Sequence, residues 1–223
     1  MKLYKYRQIN EYTKSILLER DFWASTPDTL NDPFDCDPCF ETDETEAGLP
    51  DGDDVREQAM LEYQKRVQRL GIVCFSKRWD SILMWSHYAN LHEGICIGID
   101  TDRLHPGPKI HPVIYVEERP LVHLFADREN ANRITALTKN KEWEYEEEWR
   151  WVLEANATSG QPPCTVNFPV GSITEIILGA KVKPEDRERV LGWCDSIDPR
   201  PTVYEAFKDL RRYRVDRLPV ADF

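Results

Sequence analysis

The sequence lacks long apolar runs, and its first residues lack the pattern of a signal peptide. No apolar stretch approaches the roughly 18–20 residues that a membrane span requires. The start of the chain, MKLYKYRQINEY, has neither an apolar core segment nor a small-residue cleavage site, so it does not resemble a signal peptide. We therefore expect a cytoplasmic protein whose six cysteines are reduced thiols.

The short motifs that identify common enzyme classes are also missing. There is no GxxxxGKS or GxxxxGKT phosphate loop, no GxSxG elbow and no HExxH motif. The glycines of GICIGID have the wrong spacing for dinucleotide binding and lie inside an apolar run. A single CxxC pair, Cys36 and Cys39, lacks the second pair of ligands that a zinc site needs. We therefore predict no bound metal.

Positive charge is scarce. The chain has 29 basic and 40 acidic residues, and its net charge is −11. Residues 35–62 alone contain eleven acidic residues and one arginine, whereas the rest of the chain is close to neutral. This balance disfavours a nucleic-acid partner without excluding one, and the densest basic residues are Arg211, Arg212, Arg214 and Arg217. Because residues 42–54 have little to bury, we predict a mobile acidic loop there.

Local patterns predict both strands and helices. Apolar and alternating runs predict strands at 3–7, 22–25, 72–76, 95–99, 113–116, Glu148–Leu153 and Ile173–Leu178, with an edge strand in the tail at 213–220. Capping residues, prolines and glycines delimit helices at about 10–19, 55–70, 81–90, 128–138 and Pro184–Asp195.

These elements predict one α+β domain. A chain of 223 residues can bury a sizeable core, and the strands do not alternate regularly with helices. We expect a single domain over residues 1–223, with a twisted mixed or antiparallel central sheet, which could be split, flanked by helices. Its fully buried residues should include Cys74, Ile97, Trp151 and Ile177.

Several segments, in the same order over nearly the whole chain, resemble a known bacterial family. They are LYKYR at 3–7, LNDPFDC at 30–36, CFS at 74–76, MWSHYANLHEGICIGID at 84–100, KNKEWEYEEEWRWV at 139–152 and EIILG at 175–179. The pattern resembles the family of domain of unknown function 2971. Its layout is also remotely similar to the ADP-ribosyltransferase superfamily, whose members bind NAD in a split, twisted sheet, many of them in toxin or phage-conflict systems.

The second resemblance implies an NAD-consuming transferase with a protein or nucleic acid as the acceptor. The residues that match its motif are Arg7 or Lys5 as the basic residue of the first strand, Ser76 or Tyr88 as the middle hydroxyl, and Glu148, preceded by Glu146, as the late glutamate. A carboxylate that grips the ribose 2′-hydroxyl would stabilise oxocarbenium charge as nicotinamide leaves. An arginine on a rigid strand would bind the pyrophosphate.

Other residues are candidates for holding or orienting the substrate. Tyr88, Trp85 and Trp143 could stack on the nicotinamide, and His92 is a further candidate cofactor contact. The candidates for orienting the substrate are Asn31, Asp32, Asp35 and Arg150.

Each of these features has a structural alternative. Glu146, Glu148 and Arg150 could form a solvated strand face, and Arg7 could pair with one of the glutamates. Ser76 could simply end a strand, residues 31–35 could be an Asx turn, and His92 could cap a helix.

Two other functions stay open at this stage. A metal-dependent nuclease or hydrolase would use converging carboxylates, with Asp32, Asp35, Glu146 and Glu148 as candidates. A non-catalytic binding module would leave the polar residues scattered.

Overall fold

A computed structural model describes residues 1–40, 53–104, 109–122, 128–154 and 165–220. The α-helices in these ranges are α1 (Glu11–Leu18), α2 (Asp53–Val67), α3 (Ile82–Tyr88), α4 (Arg128–Leu137) and α5 (Pro184–Asp195), and short 3-10 helices cover Pro27–Thr29, Thr101–Leu104 and Lys141–Glu146. None of the described helices combines the length and the apolar character that crossing a membrane requires. The acidic loop predicted at 42–54 lies outside the described residues, except for its last two, which begin α2.

Eight strands form one mixed sheet in the order β14-β13-β12-β5-β1-β4-β10-β6. All neighbours in it are antiparallel except β12 and β13. The strands of the described ranges are β1 (Lys2–Arg7), β2 (Asp21–Trp23), β3 (Cys39–Phe40), β4 (Gly71–Ser76), β5 (Ile95–Asp100), β6 (Ile110–Pro112), β7 (Ile114–Val116), β8 (Leu121–Val122), β9 (Thr138–Asn140), β10 (Glu148–Leu153), β11 (Thr165–Asn167), β12 (Ile173–Leu178), β13 (Thr202–Lys208) and β14 (Val215–Pro219). Three two-stranded ladders, β11-β2, β3-β8 and β7-β9, complete the fold. The predicted single α+β domain is therefore confirmed.

The centre of the sheet is apolar on both faces because side chains of other elements cover both. On β5, Ile97 belongs to a cluster that includes side chains of α1 and α5, whereas its neighbour Cys96 packs with Tyr6 and with Trp85 of α3. A continuous apolar run such as that of β5 is typical of a strand buried on both sides. The core thus covers β1, β5 and β12, which pair side by side at the centre of the sheet.

Local sequence signals locate most elements correctly. β10, β12 and α5 have the predicted bounds, and the Asn10 side chain caps α1 by accepting a first-turn N–H at 3.0 Å. The predicted tail strand is β14, at one edge of the sheet. Ile97, Ile177 and Trp151 are buried as expected. The prediction that Cys74 is fully buried is wrong: it is half-buried, because β4 borders a cleft at this position.

The sheet is split between β1 and β4. β1 pairs with β5 over six residues, but it pairs with β4 only where Tyr4 meets Ser76. Farther along β4, Ile72 bonds instead to the segment that follows β2. Between these two points the carbonyl of Cys74 accepts a hydrogen bond from Lys5 Nζ at 2.9 Å. The two strands therefore diverge, and side chains rather than a backbone ladder line the opening.

Candidate active site

A cleft of about 230 Å³ occupies the opening between β1 and β4. The sequence candidates that line it are Lys5, Arg7, Asn31, Asp35, Ser76, Tyr88, Glu146, Glu148 and Arg150. These residues come from segments far apart in the chain. The split in the sheet brings them together, because it sets β1 opposite the paired strands β4 and β10.

Arg150 is the centre of a buried ion network at the inner end of the cleft. It has no exposed surface. Its guanidinium donates to both carboxylate oxygens of Asp35 at 2.8 and 2.5 Å, and to both of Glu148 at 2.8 and 3.0 Å. A fifth bond, of 2.9 Å, reaches the carbonyl of Ala136. The guanidinium therefore holds the two carboxylates in place and has little capacity left for a ligand.

Lys139 completes this network, although the sequence analysis did not single it out. It is on β9 and is only 5% exposed. Its Nζ donates to Glu146 Oε2 at 2.6 Å and to Glu148 Oε2 at 3.1 Å, and it lies 3.7 Å from Asp35 Oδ2. The segment KNKEWEYE contains a second lysine, Lys141, whose side chain is exposed. Nothing in this segment distinguishes the buried lysine from the exposed one. Burial of Lys139 follows from the parallel pairing of β9 with β7.

Glu146 and Glu148 both reach the network because the chain turns sharply between them. Glu146 ends a 3-10 helix, and Glu147 has a left-handed backbone with φ of 43°. The Ser76 hydroxyl donates to the carbonyl of Glu146 at 2.6 Å and so supports the turn. Ser76 therefore lines the cleft, but its hydroxyl bonds to the backbone, as expected if its role is structural.

The outer carboxylate, Glu146, is bonded differently from Glu148. Its Oε1 accepts a hydrogen bond of 2.6 Å from the Tyr88 hydroxyl, and the Asn31 amide donates to the Tyr88 oxygen at 2.9 Å. Glu146 therefore accepts two side-chain bonds, from Tyr88 and Lys139, whereas Glu148 accepts three from Arg150 and Lys139. An ionised carboxylate offers about four acceptor positions, so Glu146 retains more capacity for a ligand.

The environment pushes the pKa values of these two carboxylates apart. Burial opposes ionisation of Glu148, but Arg150 and Lys139 outweigh it and lower its pKa to about 2. Burial raises the pKa of Glu146, which Lys139 only partly offsets. Burial and then the charge of Glu146 also raise the pKa of Tyr88, so its hydroxyl stays a neutral donor. Two carboxyl groups with opposite shifts in one cleft are typical of acid–base sites.

The other end of the cleft carries two cations. Arg7 Nε is buried without a hydrogen-bond partner, and no carboxylate among the described residues lies within ion-pair distance of Arg7. The Lys5 ammonium lies 5.4 Å from the ring of Phe75, and burial, followed by the charge of Arg7, lowers its pKa to about 8. Two neighbouring cations that form no ion pair with a described carboxylate favour an anion on this side of the cleft.

An aromatic group stands beside the carboxylates. Trp143 and Tyr145 belong to the 3-10 helix that precedes β10, and the ring of Trp143 lies 4.9 Å from Lys139 Nζ. His87 Nδ1 is 3.0 Å from the Tyr145 hydroxyl. Of these residues only Trp143 was a candidate from the sequence for contact with the substrate.

Trp143 is not among the residues that line the cleft, and neither are three other sequence candidates. Trp85 is fully buried and donates its ring N–H to the carbonyl of Trp79, so it belongs to the core. His92 stacks on the far side of Trp85 and follows the end of α3 in a left-handed backbone conformation. Asp32 accepts the N–H of Phe34 at 2.9 Å, which is the Asx turn of its structural alternative. Local bonding accounts for all three positions.

Within the part of the chain that the structure describes, no group of three or more His, Cys, Asp and Glu side chains is arranged to hold a metal ion. Asp35, Glu146 and Glu148 do converge, but Lys139 and Arg150 already occupy the space between them. Cys36 and Cys39 are free thiols, and burial raises the pKa of Cys36 to about 12.

Comparisons with known proteins add one finding. Residues 84–151 match a family described as "Protein of unknown function (DUF2971)". This segment runs from α3 through β10, so it includes Tyr88, Lys139, Glu146, Glu148 and Arg150 but not the cations of β1. No curated protein and no solved structure matched the chain.

Proposed function

We propose that the cleft binds NAD and breaks its bond between nicotinamide and ribose, transferring ADP-ribose to an acceptor. The observation that carries the proposal is the separation of charge along one cleft. On the β1 side, Arg7 and Lys5 form no ion pair within the described residues, and carboxylates with opposite pKa shifts lie on the β10 side. NAD has a matching order of groups, since its pyrophosphate is anionic and its nicotinamide riboside develops positive charge during cleavage.

Arg7 is the residue we assign to the pyrophosphate. Its buried Nε has no partner, and an uncompensated buried donor is costly unless a ligand satisfies it. A guanidinium can donate two parallel bonds to phosphate oxygens, and Lys5 adds a second charge nearby. The cleft volume of about 230 Å³ suits the reacting part of the dinucleotide, so the adenosine would extend beyond it.

Glu146 is the carboxylate we assign to the reacting ribose. Its remaining acceptor positions allow it to bond a ribose hydroxyl, whereas Glu148 has fewer left because Arg150 and Lys139 already donate three bonds to it. Glu148 would then act as a fixed negative charge that favours the oxocarbenium-like transition state. This assignment gives Glu146 the role that the sequence resemblance implies for Glu148.

The proposed step balances as a substitution at the ribose C1′. The bond from C1′ to the nicotinamide nitrogen breaks, and its electron pair leaves with neutral nicotinamide. A hydroxyl, amine or carboxylate of the acceptor forms the new bond to C1′. When the nucleophile carries a proton, ionised Glu146 accepts it, for which its raised pKa makes it a better base than Glu148.

Calorimetric titration with NAD and an assay of nicotinamide release test the proposal. We expect Glu146→Gln to lower turnover by about 10²–10³ while NAD binding persists, because the amide keeps the shape but loses the charge. The matched control is Glu144→Gln, an exposed residue of the same 3-10 helix. Arg7→Ala should instead raise KM, because pyrophosphate binding is common to ground and transition states.

One result would overturn the assignment of NAD. If the wild-type chain, offered protein and nucleic-acid acceptors, neither binds NAD nor releases nicotinamide, the cleft has another substrate. Equal losses in Glu146→Gln and Glu144→Gln would overturn the assignment of Glu146 alone.

A further inference from the structure

The hairpin that joins β13 to β14 projects an unusual tip. At residues 209–214 the chain leaves the sheet edge, and the side chains of Leu210 and Tyr213 are fully exposed, at 100% and 102%. Asp209 shapes the turn, because its Oδ1 accepts the backbone N–H groups of Arg211 and Arg212 at 2.7 Å each. An exposed aromatic side chain on an ordered turn is available for contact with another molecule.

The same tip is basic in an acidic chain. Residues 208–217 contain five basic and two acidic residues, although the whole chain has a net charge of −11. Arg214 is paired with Asp209 and Asp216. Arg211 and Arg212 have no carboxylate partner within the described part of the chain. Their charges are therefore free to meet an anionic partner.

The register of the sheet sets this tip beyond the end of β1 that carries Arg7, a residue that lines the cleft. Arg7 on β1 pairs with Ile95, Ile95 pairs with Leu178, and Leu178 pairs with Glu205 on β13. Glu205 is thus level with Arg7, at a distance of three inter-strand spacings, or about 14 Å. The hairpin continues beyond Glu205 in the same direction as β1 does beyond Arg7. A polymer bound at the tip could reach the cleft.

We propose that the hairpin tip binds the backbone of a single-stranded nucleic acid, which serves as the acceptor of the cleft. This inference rests on the proposed function, and it names the acceptor class. Arg211 and Arg212 would bind phosphates, and Tyr213 would stack on an unpaired base. An exposed ring favours a single strand over a duplex, because only unpaired bases offer their faces.

Fluorescence anisotropy tests the binding step without NAD. The probes are a fluorescein-labelled 20-nucleotide single-stranded DNA of mixed sequence and the RNA of the same sequence. In the full chain we expect Arg211→Glu with Arg212→Glu to weaken binding at least tenfold. The slope of log K against log salt should also decrease by about 1.4, because two phosphate contacts are lost. The matched control is Lys65→Glu with Arg69→Glu, two exposed residues around the end of α2 with the same change of charge.

Tyr213→Ala provides a second variant that keeps every charge. We expect it to weaken binding by about 5- to 150-fold without changing the salt slope, because stacking is not ionic. All of these side chains are exposed, so the melting temperature should stay close to that of wild type.

The outcomes separate this inference from the proposed function. If the wild-type chain binds neither oligonucleotide, or if the hairpin and control variants bind equally, the inference is overturned even where nicotinamide release is observed. Tip-dependent binding to phosphatidylserine vesicles but not to oligonucleotides would overturn it too. If binding depends on the tip and NAD is cleaved, labelled ADP-ribose should appear on the oligonucleotide with wild type and be lost with the hairpin variant. If NAD is not cleaved, the proposed function fails, and with it the role of the bound strand as acceptor.

Discussion

Replacing Lys139 by methionine should destabilise the protein far more than a surface lysine substitution would. Lys139 Nζ lies within 4 Å of three buried carboxylates, those of Asp35, Glu146 and Glu148. Methionine keeps most of the apolar stem and removes the charge. Among the described residues of the network, Arg150 would then be the remaining buried cation, and it bonds Asp35 and Glu148 but not Glu146.

The magnitude follows from the burial of the network. Removing one partner of a buried ion pair costs about 3–5 kcal/mol, because the charge left behind is uncompensated. Total stabilities are about 5–15 kcal/mol, so this is a large fraction. With a denaturant slope of about 3 kcal/mol per molar urea, the unfolding midpoint should fall by about 1–1.7 M.

Lys141→Met is the matched control for this measurement. Lys141 forms an exposed ion pair of 3.0 Å with Glu117, and such pairs contribute about 0–1 kcal/mol. Urea unfolding followed by tryptophan fluorescence should therefore separate two lysines only two residues apart. Equal midpoints for Lys139→Met and Lys141→Met would refute the assignment of Lys139 to a buried network.

The pH dependence of the Lys139→Met deficit gives an independent check. Without the lysine, the folded-state pKa values of Glu146 and Glu148 should rise, because burial raises both values and the charge of Lys139 no longer lowers them. A carboxyl group with a raised folded pKa stabilises the fold below its unfolded pKa, and this contribution disappears as pH rises through the folded pKa. The deficit should therefore be smaller at pH 5 than at pH 7.5, and a deficit independent of pH would contradict the electrostatic explanation.

Three further predictions concern separate parts of the fold. Because the pKa of Lys5 is lowered to about 8, the affinity for NAD measured by calorimetry should decrease as pH rises through this value. Lys5→Arg should make the affinity nearly independent of pH in this range. A wild-type affinity that does not change with pH would argue against a contact between Lys5 and phosphate. Gly98→Ala would place a Cβ 2.3 Å from the Glu175 side chain and should lower the stability measured by thermal unfolding by about 1–3 kcal/mol. Gly192→Ala, in open space on α5, should instead raise it by about 0.5–1 kcal/mol. Similar effects at both positions would be evidence against the β5–β12 packing. Asn10→Ala should cost about 1 kcal/mol through loss of the α1 cap, and an unchanged melting temperature would exclude that cap.

Local pattern determined the helices and many of the strands of this protein, but it did not predict β3, β6, β8, β9, β11 or β13. The apolar runs of β4, β5 and β12 and the alternation of β10 specify strands, because burial on one or both faces imposes those periods. Asn10 marks a helix start because its side chain accepts a backbone N–H of the first turn. Pro184 marks another because a proline at the first helical position has no N–H that needs a partner. These signals depend on residues within a few positions of each other, so they can be read without a tertiary structure.

The sequence also contained most of the residue types of the candidate site, but not their arrangement. A family-like order of motifs singled out Arg7, Tyr88, Glu146 and Glu148, all of which line the cleft. The same reasoning included Trp85, since an aromatic residue near a motif looks the same whether it faces a cleft or the core. Its place in the core depends on how α3 packs against β1 and β5.

Only the tertiary structure decided which charges meet. Asp35 and Arg150 are 115 positions apart, and their contact depends on the order of strands around β4 and β10. Lys139 became buried through the pairing of β9 with β7, whereas Lys141 stayed exposed. The split between β1 and β4 has the same origin, because hydrogen bonding between distant strands fixes where a ladder stops. Interactions of this range leave no periodic signal in the chain, since they link positions that local geometry does not relate.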